Sequence, residues 1–392
     1  MTAPPSGVLE ECRPLVEIGQ AIVARNTRKD GRQRMPRRAG GGFSEVRPWR
    51  RLQPFSRFTA GTDLGATMSI RRLSFDEVID RLLLLKEPFH KDYLAMYSSW
   101  YGGIITDPAL MMVPVDDHMV HRGDGIFEAF KCVNWKVYGL HRHLARLERS
   151  AKASMLDLPM SRIQLEEIVL CTIAAASEPD SLVKLLVSRG PGGLSANPYE
   201  CPARQVYVIV SRLNLPPEEK YLEGVKLISS NVPIKQEYLA NIKSCNYLPN
   251  ALMKKESEDA GADFAVSIDD RGFLGEGPTE NIGIITKKRE FLVPRFHRVL
   301  RGTTITRVME LAQPMVASGE LSDVREADIT VEQAHEAAEI IMFGTTFDVL
   351  SVVDFDGRQV GEGKPGPIYR VFREILNRDI RECREMLTPV KE

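Results

Sequence analysis

Several features that mark particular classes of protein are scarce in this chain. No apolar run approaches the roughly 18 residues that a membrane-spanning helix needs. The 6 cysteines are scattered without Cys-x-x-Cys spacing, so we expect neither a metal site nor a disulfide framework. A formal net charge of −1 gives no indication of a nucleic-acid partner. These absences favour a soluble protein of a reducing compartment, and we expect it in the cytoplasm.

The first 67 residues differ from the rest in charge. Residues 1–67 hold 12 Lys+Arg against 6 Asp+Glu, with glycine and proline throughout. We expect this segment to be disordered. An arginine-rich, acid-poor arm suits nucleic-acid binding or an organellar transit peptide, and the second would make the location an organelle. A third interpretation is an upstream extension that the cell does not make, because Met68 begins a helix-like pattern of its own.

The residues after this segment suffice for two domains with substantial cores, since 43% of the chain is hydrophobic. Residues 68–212 predict a small α/β domain, and Pro216-Pro217 marks the crossover to a larger domain with a mixed sheet, residues 213–392. The glycine- and proline-rich segment 190–202 is long enough to cover a site. The fold class is therefore α/β (α+β). Predicted elements of the larger domain are helices at 246–260 and 304–317 and strands at 225–231, 263–268, 273–276 and 281–286.

One lysine has an unusual setting. Lys243 lies between an apolar approach and a helix-starting turn, in Tyr238-Leu-Ala-Asn-Ile-Lys-Ser-Cys-Asn-Tyr-Leu-Pro-Asn250. Burial lowers the pKa of a lysine, and an amine that is neutral near pH 7 forms a Schiff base with an aldehyde such as pyridoxal phosphate. The alternative is a solvated lysine near the end of a strand.

One glutamate also has an unusual setting. The segment Phe273-Leu-Gly-Glu-Gly-Pro-Thr-Glu-Asn281 places Glu276 between two glycines and between two predicted buried strands. Carboxylates are seldom buried without a partner. A protonated pyridine nitrogen is one such partner, because a carboxylate keeps the ring electron-withdrawing.

Two further segments end in glycine followed by threonine. Arg301-Gly-Thr-Thr304 precedes a helical pattern, so its backbone amides are free to bind a phosphate. An ordinary threonine N-cap is the alternative. Ile341-Met-Phe-Gly-Thr-Thr346 reads as a strand that ends in small hydroxyl residues.

Taken together and in this order, these motifs resemble those of the class IV pyridoxal phosphate enzymes. That family holds branched-chain aminotransferases, D-amino acid aminotransferases and aminodeoxychorismate lyases. The resemblance extends from about residue 93 to about residue 376. It implies a two-domain fold of type IV, pyridoxal 5'-phosphate as the cofactor, and a homodimer with residues of both subunits near each pocket.

The resemblance also implies roles for particular residues. Lys243 would carry the cofactor and act as the catalytic base, and Glu276 would hold the pyridine nitrogen. The family's phosphate arginine lies in a His-x-x-Arg-Leu motif, matched by His143-Leu-Ala-Arg-Leu147, which selects Arg146. Tyr247 is the candidate for the cofactor's phenolic oxygen, although branched-chain enzymes place this tyrosine one residue further along. The remaining implied phosphate ligands are Thr303, Thr304 and Thr345.

Two residues are candidates for the substrate pocket. Phe127 lies in a segment similar to the family's Gly-x-Phe/Tyr-Glu turn, whose aromatic lines the pocket, and strand core is its alternative. Arg189 would anchor a carboxylate or simply end a strand. D-amino acid aminotransferases grip the substrate carboxylate with an Arg and a nearby His, but here the matching stretch reads Gly193-Leu-Ser-Ala196. The lyases' arginine is likewise replaced, by Leu194.

The implied function is that of a pyridoxal phosphate-dependent transaminase. It would move the amino group of a small or branched apolar amino acid to a 2-oxo acid in two ping-pong halves. The alternatives are a 4-amino-4-deoxychorismate lyase and a D-amino acid aminotransferase, and a need for an oxo-acid acceptor separates the lyase. A non-catalytic nucleic-acid-binding protein is supported only by the basic segment 1–67.

Overall fold

The computed structural model describes residues 70–390. The described residues divide into two units, residues 70–85 and residues 86–390. In the first unit the described part is one helix, α1 (Phe75–Leu84), which begins with a capping box of Ser74 and Glu77. Residues 1–67, expected to be disordered, lie outside the described residues, and the predicted start of the small domain at residue 68 stays a prediction.

The first sheet of the larger unit is built on long apolar strands with buried positions on both faces. Asn134 and Trp135, both with positive φ (49° and 60°), form the tight turn of one of its hairpins. In chain order its elements are the strands β1 (Tyr93–Ser98), β2 (Gly103–Ile105), β3 (Gly125–Val133), β4 (Lys136–Tyr138), β5 (Ser181–Ser188) and β6 (Gln205–Arg212), with the helices α2 (His118–Arg122), α3 (Leu140–Ala153) and α4 (Arg162–Ala176).

The second sheet follows in the chain. Its strands are β7 (Val225–Ser229), β8 (Phe264–Val266), β9 (Asn281–Ile285), β10 (Glu290–Pro294), β11 (Asp323–Ala327), β12 (Glu339–Gly344), β13 (Asp348–Phe355) and β14 (Arg358–Gln359). Its helices are α5 (Glu218–Glu223), α6 (Glu237–Ala240), α7 (Leu248–Asp259), α8 (Thr303–Ala317), α9 (Val331–His335) and α10 (Pro367–Glu382). Single 3-10 turns lie at Pro88–Asp92, Pro108–Leu110, Pro198–Glu200 and Arg384–Met386.

Strand pairing separates the two sheets. A last strand, β15 (Leu387–Pro389), pairs with β4, so the first sheet has the order β15-β4-β3-β5-β6-β1-β2 and is antiparallel throughout. The second sheet has the order β11-β10-β9-β12-β13-β7-β8, with β14 beside β13. It is mixed, because β10 pairs with β11, and β7 with β13 and β8, in parallel. The predicted α/β class with a mixed second sheet is confirmed.

Three apolar cores support these layers. One lies under the first sheet against α3 and α4, and the other two cover opposite faces of the second sheet. Strand β9 is buried at every position, as expected for a strand with both faces covered. Gly283 leaves room there for Phe291, whose ring would lie 2.7 Å from a β-carbon at that position.

Two predicted features differ from the structure. The strand expected at 273–276 is an irregular segment that makes only isolated bridges, Ile268 to Leu274 and Phe273 to Thr330. The Glu276 carbonyl accepts both the main-chain amide and the hydroxyl of Ser267, and the Glu276 amide donates to the same hydroxyl. These bonds to a side chain interrupt the regular hydrogen-bonding pattern of a strand. Residues 387–389, assigned from sequence to the larger domain, return to the first sheet because β4 offers them an open edge. Within residues 70–390, no helix combines the length and apolar character that crossing a membrane requires.

A buried ion pair joins the two sheets. The Lys131 ammonium on β3 donates to both carboxylate oxygens of Asp348, at 2.6 and 2.7 Å. The two side chains are only 6% and 19% exposed. Asp348 begins β13 with φ of 66°, so its backbone sits in the left-handed region. The pair thereby fixes the turn between β12 and β13 against the first sheet.

We expect Lys131→Met to lower the free energy of unfolding by about 3 kcal/mol, because it leaves a buried carboxylate without its cation. Denaturant titration monitored by circular dichroism measures the loss. The double variant Lys131→Met/Asp348→Asn is the control, since asparagine tolerates the positive φ and carries no charge. It should recover most of the stability. A single variant as stable as the parent would contradict the coupling of the sheets through this pair.

Candidate active site

A cleft that encloses about 530 Å³, part of it open to solvent, lies where α3, the helix packed on the first sheet, meets the second sheet. The segments before α7, before β9 and before α8 and the end of β12 all contribute to its wall. Seven of the residues proposed from sequence line it together: Arg146, Lys243, Tyr247, Glu276, Thr303, Thr304 and Thr345.

Lys243 is buried, with 8% of its surface exposed. Its backbone is held by β3, since the Phe127 amide donates to the Lys243 carbonyl at 2.9 Å. The next residue, Ser244, forms an isolated antiparallel β-bridge with Ile126. The ammonium nitrogen lies 4.5 Å from the centre of the Phe127 ring. Burial, assisted by the positive charge of Arg146, lowers the pKa of Lys243 to about 8. A useful fraction of this amine is therefore neutral near pH 7.

Glu276 occupies another part of the same cavity. Its Oε2 accepts the Leu300 amide at 3.0 Å, and the Asn281 side-chain amide lies 3.5 Å away while donating to the Leu300 carbonyl at 2.8 Å. Burial raises the pKa of Glu276 to about 7, against the opposing charge of Lys235 and the Leu300 amide. A cationic ligand would therefore stabilise the charged form of Glu276, which burial disfavours.

The N-terminus of α8 provides a site for an anion. Gly302 is its N-cap, and no side chain caps the helix. A β-carbon at Gly302 would lie 1.9 Å from Asn281 Oδ1, so only glycine lets the chain enter the helix this close to the motif around Glu276. The first amides of the helix, at Thr303 and Thr304, have no intrahelical acceptor and carry the positive end of the helix dipole. Thr345, just after β12, lines the same part of the cavity.

Arg146 reaches the cavity from α3 with its guanidinium held from behind. Glu128, which has no exposed surface, accepts the Arg146 Nε at 2.8 Å and Nη2 at 2.6 Å. His143 Nδ1 lies 2.7 Å from the same carboxylate, and Arg146 Nη1 donates to the Arg301 carbonyl at 3.3 Å. Burial alone would raise the pKa of Glu128, but Arg146 and His143 lower it to about 2.

Of the two aromatic residues proposed from sequence, Phe127 lies under the Lys243 amine and Tyr247 packs against Phe127. The Tyr247 and Phe127 rings meet edge to face with centres 5.2 Å apart. Burial raises the pKa of Tyr247, which keeps its hydroxyl protonated. Phe127 is half-buried rather than core, so its ring forms a floor under the Lys243 amine.

Arg189 has a different setting from the one proposed. Its guanidinium donates to the Asp124 carboxylate, at 3.0 to 3.3 Å, and to the carbonyls of Met155 and Ser154. All three nitrogens are thus committed to protein acceptors, and Arg189 is not among the residues that line the cavity. The expectation that it anchors a substrate carboxylate is therefore wrong for this arrangement. Asp124 captures it because both lie on neighbouring strand ends.

The loop at 190–202 packs on α2. The Gly190 carbonyl accepts the His118 amide and the Asp116 carbonyl accepts the Gly192 amide, each at 3.2 Å. Arg122 donates to the Leu194 carbonyl at 2.6 Å. Among the described residues the loop contributes nothing to the cavity wall, so a covering role stays a prediction.

Sequence reasoning missed several polar residues of the cavity, among them Lys235, Glu280 and Asn250. Lys235, whose ammonium lies 5.0 Å from the centre of the Tyr247 ring, had no motif to distinguish it from a surface lysine. Glu280 is buried and accepts the Thr279 amide and hydroxyl, and its position inside the glutamate motif was the signal available. Asn250 Oδ1 is buried without a hydrogen-bond partner among the described residues. No group of three or more potential metal ligands occurs in residues 70–390.

The residues of this cavity fit pyridoxal phosphate. A phosphate matches the amides of α8 with Arg146, the aldehyde matches the amine of Lys243, and the ring nitrogen matches the carboxylate of Glu276. The glycine at position 302 leaves the space between the helix and this carboxylate motif clear of a side chain. Fold and cavity together define a pyridoxal phosphate enzyme of the two-sheet type.

Comparison with known proteins specifies the family. Residues 125–355 match the family described as amino-transferase class IV. The chain is 37% identical to a chloroplastic D-amino-acid transaminase of Arabidopsis thaliana, over 79% of this chain and 82% of the relative. It is 30% identical to a putative branched-chain-amino-acid aminotransferase of Methanocaldococcus jannaschii, over 72% and 96%. The solved structure of a branched-chain amino acid aminotransferase from Escherichia coli covers 77% of this chain and 100% of its own, with a TM-score of 0.68 at 23% identity, and so bears on the fold.

The chain belongs to the class IV aminotransferases. It is a pyridoxal phosphate-dependent transaminase of amino acids. The resemblance drawn from its motifs is thereby confirmed.

Proposed function

We propose that this transaminase moves the amino group of a small or branched apolar amino acid to a 2-oxo acid by a ping-pong mechanism. The observation that carries the proposal is the buried Lys243 amine above the Phe127 ring, in one cavity with Glu276 and Arg146. The Phe127 ring under the amine, with the Tyr247 ring packed edge to face against it, favours an apolar substrate side chain. With Arg189 engaged by Asp124, that arginine is not available to a second carboxylate.

The proposed roles follow from the chemistry of each group. Pyridoxal phosphate, when bound, supplies an aldehyde and an electron-withdrawing ring. Arg146, the backbone amides of Thr303 and Thr304, the Thr304 hydroxyl and Thr345 would hold the phosphate. Glu276 keeps the ring nitrogen protonated, and the Tyr247 hydroxyl binds the phenolic oxygen.

Lys243 moves the proton. Its neutral amine would take the proton from Cα of the bound amino acid and return it at the carbon that the cofactor's aldehyde supplies, so that one group would serve as general base and then as general acid. Burial suits the task, because an amine with its pKa near 8 both accepts and releases a proton at neutral pH. The floor formed by Phe127 limits the positions that the amine reaches.

A second candidate is a transaminase of D-amino acids. The relative with 37% identity carries that activity in its name and spans most of both chains. The Arg and His that D-amino acid aminotransferases use for the carboxylate are absent from Gly193-Leu-Ser-Ala196, which favours the first candidate.

Amino-group transfer by the purified full chain tests the proposal. The chain is incubated with pooled L-amino acids, then with pooled D-amino acids, each with and without 2-oxoglutarate or pyruvate. New amino acid formed only with an acceptor, from branched or small apolar L donors, supports the first candidate. Transfer from the D pool alone supports the second. A product from aminodeoxychorismate without any acceptor would sink both in favour of the lyase.

We further propose that the protein is a homodimer. Large apolar side chains are exposed in the turn between β1 and β2, on β2 and in the segment after it, as in a subunit interface. Light scattering after gel filtration measures the mass, and a monomer at micromolar concentration would contradict the assignment. The exposed residues are Trp100, Tyr101, Ile104, Leu110, Met112 and Val115.

The proposed location is the cytoplasm. Residues 1–67 and the chloroplastic location in the name of one relative support the organellar alternative. A fluorescent protein carrying residues 1–67 at its N-terminus separates them, since import into an organelle supports the alternative and diffuse fluorescence the cytoplasm.

A further inference from the structure

Two buried residues behind the cavity hold groups that line it. Glu128 on β3 and His143 on α3 are not among the residues that line the cavity, yet they contact Arg146 and Thr303, which are. His143 Nδ1 lies 2.7 Å from Glu128 Oε2, and His143 Nε2 lies 3.3 Å from Thr303 Oγ1. His143 and Arg146 share one face of α3, three residues apart, so a single carboxylate reaches both.

The direction of each hydrogen bond in this chain of contacts follows from charge. Glu128 is ionised because its pKa is near 2, so both of its oxygens only accept. His143 Nδ1 must therefore carry a proton. Burial lowers the pKa of His143, so the ring is neutral and Nε2 carries a lone pair. The Thr303 hydroxyl, its neighbour, must then be the donor.

This direction decides which donors remain for a phosphate. The Thr303 hydroxyl can donate one hydrogen bond, and it donates that bond to His143 Nε2. Thr303 consequently offers its backbone amide to the cavity, at the first position of α8. Arg146 has five N–H groups, of which three donate to Glu128 and the Arg301 carbonyl. The two that remain, on Nη1 and Nη2, suit bidentate contact with a phosphate.

We propose that Glu128 and His143 are positioning residues of the phosphate site, with His143 protonated at Nδ1 and accepting the Thr303 hydroxyl at Nε2. Glu128 orients the guanidinium group of Arg146, and His143 fixes the start of α8. The two residues thereby hold α3, which packs on the first sheet, against α8, which packs on the second. The inference rests on the proposed assignment of Arg146 and the threonines to the phosphate.

Binding of pyridoxal phosphate and of pyridoxal to the cofactor-free full chain isolates the phosphate contribution. The readout is the dissociation constant of pyridoxal divided by that of pyridoxal phosphate. A general loss of structure would not change this ratio selectively. His143→Leu and Thr303→Val break the same hydrogen bond, so each should lower the ratio about tenfold. The double variant should lose about the same tenfold, because the bond is lost only once. Thr303→Ser keeps the hydroxyl and should stay within about threefold of the parent.

Several results would contradict these roles of Glu128 and His143. Losses that multiply to about a hundredfold in the double variant would show two independent phosphate contacts and overturn the inference, as would an unchanged ratio in His143→Leu. Equal affinity of the parent for pyridoxal and pyridoxal phosphate would instead remove the phosphate assignment on which the inference rests. Nitrogen-15 spectra of the parent labelled at histidine supply a second readout. A neutral His143 protonated at Nδ1 is expected, and the Nε2 tautomer or an imidazolium would overturn the proposal.

Discussion

Lys243→Ala is expected to lower the rate of transamination by on the order of 10³-fold or more, because the variant loses the amine proposed both to hold the cofactor and to move the Cα proton. Single-turnover reaction of the cofactor-loaded variant with an amino acid donor, followed by absorbance, measures the loss. Added small amines should restore part of the proton transfer, since they replace the missing base.

Lys235→Ala is the matched control, since it removes a second lysine from the same cavity. Its ammonium lies over the Tyr247 ring, and the variant should lose no more than about tenfold. Similar losses in both variants would mean that the cavity needs its positive charge and not a specific amine, which would count against Lys243 as the base.

The pH dependence of cofactor attachment gives an independent check on Lys243. Attack on an aldehyde requires the neutral amine, whose fraction grows as the pH rises through the Lys243 pKa of about 8. The attachment rate should therefore rise between about pH 7 and 9 and level off above. A rate that rises only near the ordinary lysine pKa would show that burial does not shift this group.

Glu276→Gln should lower transamination by on the order of 10²–10³, because a neutral amide cannot keep the ring nitrogen protonated while charge develops at Cα. Binding of pyridoxamine phosphate, which has no aldehyde for Lys243, measures the ring contact alone. The parent's affinity should rise with pH through about 7, where Glu276 becomes charged, and this rise should be missing in the variant.

Glu280→Gln makes the same chemical change at another buried carboxylate of the cavity. Its Oε2 accepts from Thr279 rather than from Leu300, so a neutral amide there should cost about tenfold or less. Equal losses in the two variants would leave the ring nitrogen without an assigned partner.

Several parts of the candidate site are distinctive in the local sequence. Lys243, Glu276 and the Gly302-Thr303 start of α8 each stand out within a short segment, and the structure brings them into one cavity. Arg146 depended on a motif, because several basic residues share its helix. Their assigned roles stay predictions.

What the sequence could not reveal depends on contacts between distant segments. Glu128 lies in an apolar strand, and its carboxylate acquires its partners, Arg146 and His143, only when α3 packs on β3. Arg189 was misjudged for the same reason, since its partner Asp124 is 65 residues away in the chain. Strands β10, β11 and β13 and helix α10 were not predicted from the sequence.

The return of β15 to the first sheet has a consequence for biosynthesis. The first sheet gains its edge strand only from residues 387–389, so a nascent chain that has already released β1 to β6 from the ribosome still exposes the edge of β4. The edge of that sheet is completed only after the second sheet has also been translated, which gives the pairing of β15 with β4 a very long loop to close. Chains that stop short of residue 387 should therefore depend on chaperones and be degraded early, even with every residue of the cavity in place.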